Sequence, residues 1–266
     1  MRLLLVLFLA TFGCASTRSV AQVKPVDFFL DPAGKAYLLL SDSRLITQNQ
    51  LGQTVNDFYD SSLGFPDNVD VTNPFSILLY YQDFGRLVIL DRTLSEITRI
   101  DLFSVDNIQQ PGVLARANDN QVWVYDSWDH RLKLLDNQGR VERTTNDLRL
   151  ELSAPEDPDA IFVDRGTVAL YFREKSRLAV LTNYGRFKYW VDLPVTANVS
   201  WLTPYLTGYD EETSWRWVPG LRTVKEWAPR LSSGQVPGLG EGKRLAVRDG
   251  YHLLEATGKV GYRAVD

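Results

Sequence analysis

The chain of 266 residues contains one cysteine, one methionine and two histidines. A lone cysteine, Cys14, cannot close an intramolecular disulfide, so the fold has to be stable without one. The same scarcity leaves too few ligands for a Cys-based metal centre, and His130 and His252 have no His-x-x-x-His spacing that would seat zinc. The strand–turn–helix elbow Gly-x-Ser-x-Gly of serine hydrolases is absent. An excess of positive charge is missing too: 29 Lys and Arg stand against 33 Asp and Glu, a net charge of −4. Nucleic acid, which needs a basic footprint, is therefore not an expected partner. Long apolar runs are equally rare. The run Leu3 to Phe12 has about ten residues, half the roughly 20 that a membrane-spanning helix needs. The run around Phe75 to Tyr81 suits a buried strand.

The N-terminus nevertheless has its own pattern. In MRLLLVLFLATFGC, Arg2 supplies a positive start and Leu3 to Phe12 supply the apolar segment of a secretory signal. Gly13 followed by Cys14 resembles the lipobox of bacterial lipoproteins, with Thr11 and Phe12 departing from its usual residues. The resemblance implies a signal over 1–13, acylation of Cys14 and a lipidated tether over 14–25. An ordinary signal with a chance cysteine, or a short buried helix, is the alternative. No Asp follows Cys14, so the expected destination is the outer membrane, with the face left open.

Beyond the tether a module repeats. RLITQNQLG (Arg44 to Gly52), RLVILDRTL (Arg86 to Leu94), RLKLLDNQG (Arg131 to Gly139) and RLAVLTNYG (Arg177 to Gly185) each begin with Arg-Leu and end on Gly, or on Leu94 in the second copy. Three copies close with Asp-Leu: Asp101-Leu102, Asp147-Leu148 and Asp192-Leu193. Short apolar runs separated by turn residues such as Asp31-Pro32-Ala33-Gly34 and Asn73-Pro74 read as strands and hairpins. A repeat of this length built from strands is the mark of a β-propeller blade. The all-β domain is expected over 26–266. Six blades are expected, with five or seven left open; blade five would run from about Val195 to Arg230 and blade six from about Leu239 to Asp266. An N-terminal strand is expected to pair with the last blade, because an open ring would leave exposed edges.

The run Asp70 to Leu102, followed by NDNQVWVYDSWDHRLKLLDNQG, resembles the six-bladed β-propeller lipoproteins of Bacteroidota and, more broadly, NHL-type propellers. These motifs form blades, so the resemblance implies a fold and an exported protein without catalytic residues to carry over. NHL-type propellers mostly bind proteins or other macromolecules.

Candidate sites follow from chemistry. Trp201, Trp215, Trp217 and Trp227 fall within an aromatic-rich stretch. Trp215 and Trp217 are two apart and share one face of a strand. They fit either inter-blade packing or a partner or glycan surface. Asp57, Asp60, Asp67 and Asp70 lie near one inter-blade connection and offer oxygen ligands for calcium; Asp in turns that hydrogen-bond their own backbone is the alternative. The Arg of each Arg-Leu pair is expected at a strand start, paired with an acid of a neighbouring blade. His130 is expected in a turn. The function expected is a non-catalytic protein-interaction or scaffold module with an envelope protein partner, part of an outer-membrane or secretion assembly. The alternative is a carbohydrate- or small-molecule-binding propeller, including a calcium-dependent hydrolase or lactonase.

Overall fold

The computed structural model describes residues 23–210, 214–227 and 243–264. Six antiparallel sheets form a ring: five have four strands and the sixth has three. The blades span 25–58, 68–101, 111–144, 160–192, 198–226 and 244–264. The protein is a six-bladed β-propeller. Cys14, the 1–13 signal and most of the tether lie outside the described residues, as do Arg230 and Leu239. Among the described residues no helix is long and apolar enough to cross a membrane.

Burial within a blade follows position. In blade two the second strand, Ile77–Tyr81, is buried at every residue. Neighbouring blades cover both of its faces, so the run is continuously apolar rather than alternating. Outer strands such as Val141–Thr144 alternate between half-buried and exposed. Innermost strands meet around the axis: Pro111–Arg116 contacts both Ala160–Asp164 and Asn68–Asp70.

The repeated motif is the third strand together with the turn that leads into the fourth. Asn49, Asp91, Asp136 and Thr182 open the turns, and each accepts the N–H groups two and four residues on, as Asp91 Oδ1 does from Thr93 at 2.7 Å and Ser95 at 3.0 Å. The fourth turn residue is left-handed in every copy: Gly52 (φ 78°), Leu94 (φ 62°), Gly139 (φ 81°) and Gly185 (φ 78°). In each of these four blades the register shifts beside the turn, with one extra residue at the start of the fourth strand. Glycine is needed twice over at Gly139, where a Cβ would stand 2.9 Å from Ile100 of the preceding blade.

A second set of left-handed residues precedes the Arg-Leu pairs: Ser43, Gly85, His130 and Ser176. The leucine of each Asp-Leu pair donates its N–H to one of these carbonyls, Leu102 to Gly85, Leu148 to His130 and Leu193 to Ser176. The Asp-Leu closure thus ties the outer strand's exit to the turn between the second and third strands.

Two expectations change. The arginines do open strands, but Arg44 pairs with Asp42 at 2.8 Å and Arg86 with Asp101 at 3.0 Å, acids of the same blade. Arg177 instead lies over the Trp190 ring, 3.9 Å from its centroid. Among the described residues no N-terminal strand joins blade six; Pro25–Leu30 pairs with Ala36–Leu40 of its own blade. The ring closes by packing, with Leu245 and Leu202 buried against Phe28, Leu38 and Ile46. Lys243 adds a 3.1 Å ion pair to Asp27 and a stacking contact over Phe29.

Candidate functional site

An antiparallel blade places its first and third turns at one end of the ring, and its second turn and exit connection at the other. Each end carries a distinct surface.

At the first-turn end, four blades frame a cavity of about 430 Å³ around the channel mouth. Blade two supplies Asn73, blade three Arg116 and Asp119, blade four Asp164 and Arg165, and blade five Thr203. Arg116 ends the innermost strand of blade three and is 5 % exposed. Its guanidinium donates to the Ser76 carbonyl at 2.6 Å, the Ser76 hydroxyl and the Asn120 carbonyl at 2.8 Å. All of these acceptors are neutral. Among the described residues no carboxylate oxygen lies within 4.0 Å of this guanidinium, and its Nε is buried without a partner. Burial pushes its pKa down to about 10, against the opposing charge of Asp70. Across the cavity Thr203 donates to Asp164 Oδ1 at 2.7 Å. A narrower crevice of about 190 Å³ shares Ala117, Asp119 and Val163 with the cavity and runs outward between blades three and four over Trp123 and Leu134. Arg143 stacks on Tyr184 at its rim.

The opposite end is apolar in a different way. Tyr59 and Phe65 lie in the connection from blade one to two, Phe84 in a turn of blade two, and Phe103 in the next connection. Trp128 follows in a turn of blade three, Leu150 on the short helix Leu148–Leu152, and Val195 beyond blade four. All seven are exposed, Trp128 at 64 % and Leu150 at 79 %. Isolated exposed apolar residues are ordinary; these seven lie on one end of the ring, across four blades. The exposed carboxylates Asp83, Asp106 and Glu174 stand among them. A polar cluster adjoins the arc: Tyr125 donates to Asp157 at 2.9 Å, and His130 Nδ1 lies 3.0 Å from the same oxygen. Burial raises the Tyr125 pKa, and the hydrogen bond and charge of Asp157 raise it further.

The residues singled out in the sequence are dispersed. Trp215 and Trp217 are fully buried with Tyr171, Val180 and Leu206 between blades four and five. Gly208 faces Trp215 across the strand pair, where any Cβ would collide with the ring. A partner or glycan surface at these two would need rings that the fold has buried. Trp201 is half-buried and stacks on Phe162 at 5.3 Å; Trp227 meets Tyr251 edge-on at 6.1 Å. The four aspartates do not converge. Asp57 is an exposed outer-strand residue. Asp60 holds Ser62 and, at 2.7 Å, Arg99. Asp67 accepts from Gln82 N, whereas Asp70, at the other end of the same strand, accepts from Thr72 and from Arg116 N. Among the described residues no three His, Cys, Asp or Glu gather where they could hold a metal ion. His130 lies in its turn at φ 55°, and His252 is half-buried beside Tyr262, its pKa lowered by burial.

Sequence reasoning passed over both ends of the ring. A signal existed for the apolar arc: Phe84, Phe103 and Trp128 sit inside the turn sequences QDFG, DLFS and DSWD, where a large apolar side chain has no core to enter. The channel-mouth residues come from four blades and share no local motif.

No protein-family model matches the chain, and no curated protein does. Solved structures do. A catalytically inactive virginiamycin B lyase from Staphylococcus aureus, with quinupristin, is 9 % identical over 92 % of this chain and 86 % of its own, with a TM-score of 0.56. The extracellular domain of a putative hybrid two-component system from B. thetaiotaomicron is 9 % identical, covering 85 % of this chain and 32 % of its own, at 0.52. A protein of unknown function from Bacteroides caccae is 11 % identical over 79 % and 78 %, at 0.50. At such identity the likeness is one of fold.

Proposed function

We propose that the chain is an exported, lipid-anchored β-propeller that acts as a non-catalytic protein-interaction module in an outer-membrane or secretion assembly. The observation that carries this reading is the arc of exposed apolar side chains from Tyr59 to Val195 on one end of the ring. Aromatic anchors of this kind dominate protein interfaces when a partner's pockets receive them. Exposed charges of both signs stand between them, Asp83, Asp106 and Glu174 beside Arg149, Arg173 and Lys175, so a matching partner carries both signs around its apolar pockets. Cys14, through its acyl chains, would set the location, and the short tether would hold the ring close to the membrane.

The test is purification of the tagged full-length protein in mild detergent, followed by mass spectrometry. A stoichiometric envelope protein should co-purify with the native chain and with Leu51→Ser, which alters the opposite end. It should be lost from the Phe103→Ser, Trp128→Ser double variant while that variant keeps the circular dichroism of the folded native chain. Equal recovery with both variants, or a native chain that purifies alone, would sink the reading. Cys14→Ser should move the protein from the membrane to the soluble fraction.

A further inference from the structure

The channel-mouth cavity is at the other end from the apolar arc, and its chemistry stands independently of the docking reading. A buried guanidinium is costly unless compensated. Arg116 is hydrogen-bonded to neutral oxygens alone, keeps Nε unpartnered, and lies on the wall of an open cavity. Asp70 takes the Arg116 backbone N–H at 2.8 Å rather than the side chain. The exposed side chain of Arg165 lines the same cavity. The space thus holds two cationic side chains, one from blade three and one from blade four.

Each of those two blades also supplies a carboxylate to the lining. Asp164 accepts one hydrogen bond, from Thr203 to Oδ1, and Asp119 is exposed at the rim. Neither carboxylate forms an ion pair among the described residues. Two arginines and two aspartates leave the site close to neutral, so a multiply charged anion gains little there. A volume of about 430 Å³ lies within the range of small-molecule pockets.

We infer that the channel mouth binds a small amphoteric carboxylate, a molecule with one anionic end and one hydrogen-bond-donating end such as a free amino acid or short peptide. The carboxylate meets Arg116 and Arg165, and the ammonium or hydroxyl end meets Asp164 and Asp119. The apolar floor of the adjoining crevice, over Trp123 and Leu134, receives a side chain.

Titration calorimetry on the full-length protein in detergent tests this, with the dipeptide alanyl-alanine as probe. The free dipeptide should bind. Its carboxyl-terminal amide and its N-acetyl derivative should each bind at least tenfold more weakly. Inorganic phosphate should bind more weakly than the dipeptide. Arg116→Lys keeps a cation, but its burial makes folding a concern. Arg165→Gln lies in an exposed turn, and its fold is checked by circular dichroism; it should weaken the free dipeptide while leaving the amide unchanged. Absence of binding by the dipeptide at millimolar concentration would overturn the inference. So would an amide that binds as tightly as the acid, or a preference for phosphate. Loss of the dipeptide in Phe103→Ser, Trp128→Ser would also overturn it, since that end of the ring is not part of the cavity.

Discussion

The backbone N–H of Leu102 donates a 2.8 Å hydrogen bond to the carbonyl of Gly85. It closes blade two onto its own second turn and lays the ring of Phe103 over Gly85, where a Cβ would stand 2.6 Å from it. Gly85 is left-handed at φ 56°. One residue therefore serves both the turn and the placement of an aromatic in the exposed arc.

Gly85→Ala should destabilise the protein by about 1–2 kcal/mol from the left-handed backbone alone, and by more once Phe103 is displaced. Thermal melts give the first quantity. Binding of the co-purifying partner gives the second, and should fall further than in a variant with an equal loss of stability elsewhere. A substitution that leaves both unchanged would show that Phe103 does not rest on Gly85.

Leu94 occupies the position that is glycine in the other copies. It keeps φ at 62° with its side chain 2 % exposed, packed with Tyr37, Leu45 and Val71 toward blade one. Burial offsets backbone strain. Leu94→Ala should cost about 2–5 kcal/mol, as other large-to-small core changes do. Leu94→Gly should cost about 1 kcal/mol less than that, because glycine relieves the left-handed penalty. Denaturant midpoints of the two variants settle the order; at an ordinary core position glycine is the worse of the two.

Trp215→Ala and Trp217→Ala should each cost about 3–5 kcal/mol. A domain has only about 5–15 kcal/mol to lose, so the double variant should lose most of its stability. The Trp217 ring also donates to the Leu221 carbonyl at 2.9 Å, a bond that Trp217→Phe removes while keeping most of the packing. Circular dichroism and a melt distinguish these from Trp128→Ser, an exposed change expected within about 0.5 kcal/mol of the native chain.

These variants also mark what is legible in the residues alone. Arg-Leu and Gly recur because the third strand and its left-handed turn recur, and few residues tolerate φ near 78°. That spacing marks four blades; the other two follow only from the length of chain that remains, which is why five or seven blades stay open in the sequence. Trp215 and Trp217 were ambiguous because alternation places both on one face without saying whether another blade covers it. The aspartates were ambiguous for a related reason: the turn chemistry that holds Ser62 and Thr72 uses the same carboxylates that a cation would. The Arg116 cavity could not be read at all. Its walls come from residues near positions 73, 116, 164 and 203, about one blade apart, and only the closed ring brings them together.

Asp60 gives a prediction in pH. It accepts from the Ser62 hydroxyl and, at 2.7 Å, from Arg99 Nη1, tying the connection after blade one to the outer strand of blade two. The Ser62 bond, together with Arg99, holds its carboxyl below the usual range. A carboxyl whose folded pKa is depressed contributes stability that is complete above its unfolded value, about 3.9. That contribution is lost as pH falls through the lower folded value. Asp60→Asn removes the charge and with it this dependence. The variant should be less stable than the native chain at about pH 7, and the gap should close as the pH falls below about 4. High salt should narrow the neutral-pH gap as well, since the pair is partly exposed and screened. Urea midpoints for both chains at the two pH values measure it. A gap that stays constant on acidification would mean that Asp60 acts through the geometry of its turn with Ser62, and that its charge on Arg99 contributes nothing.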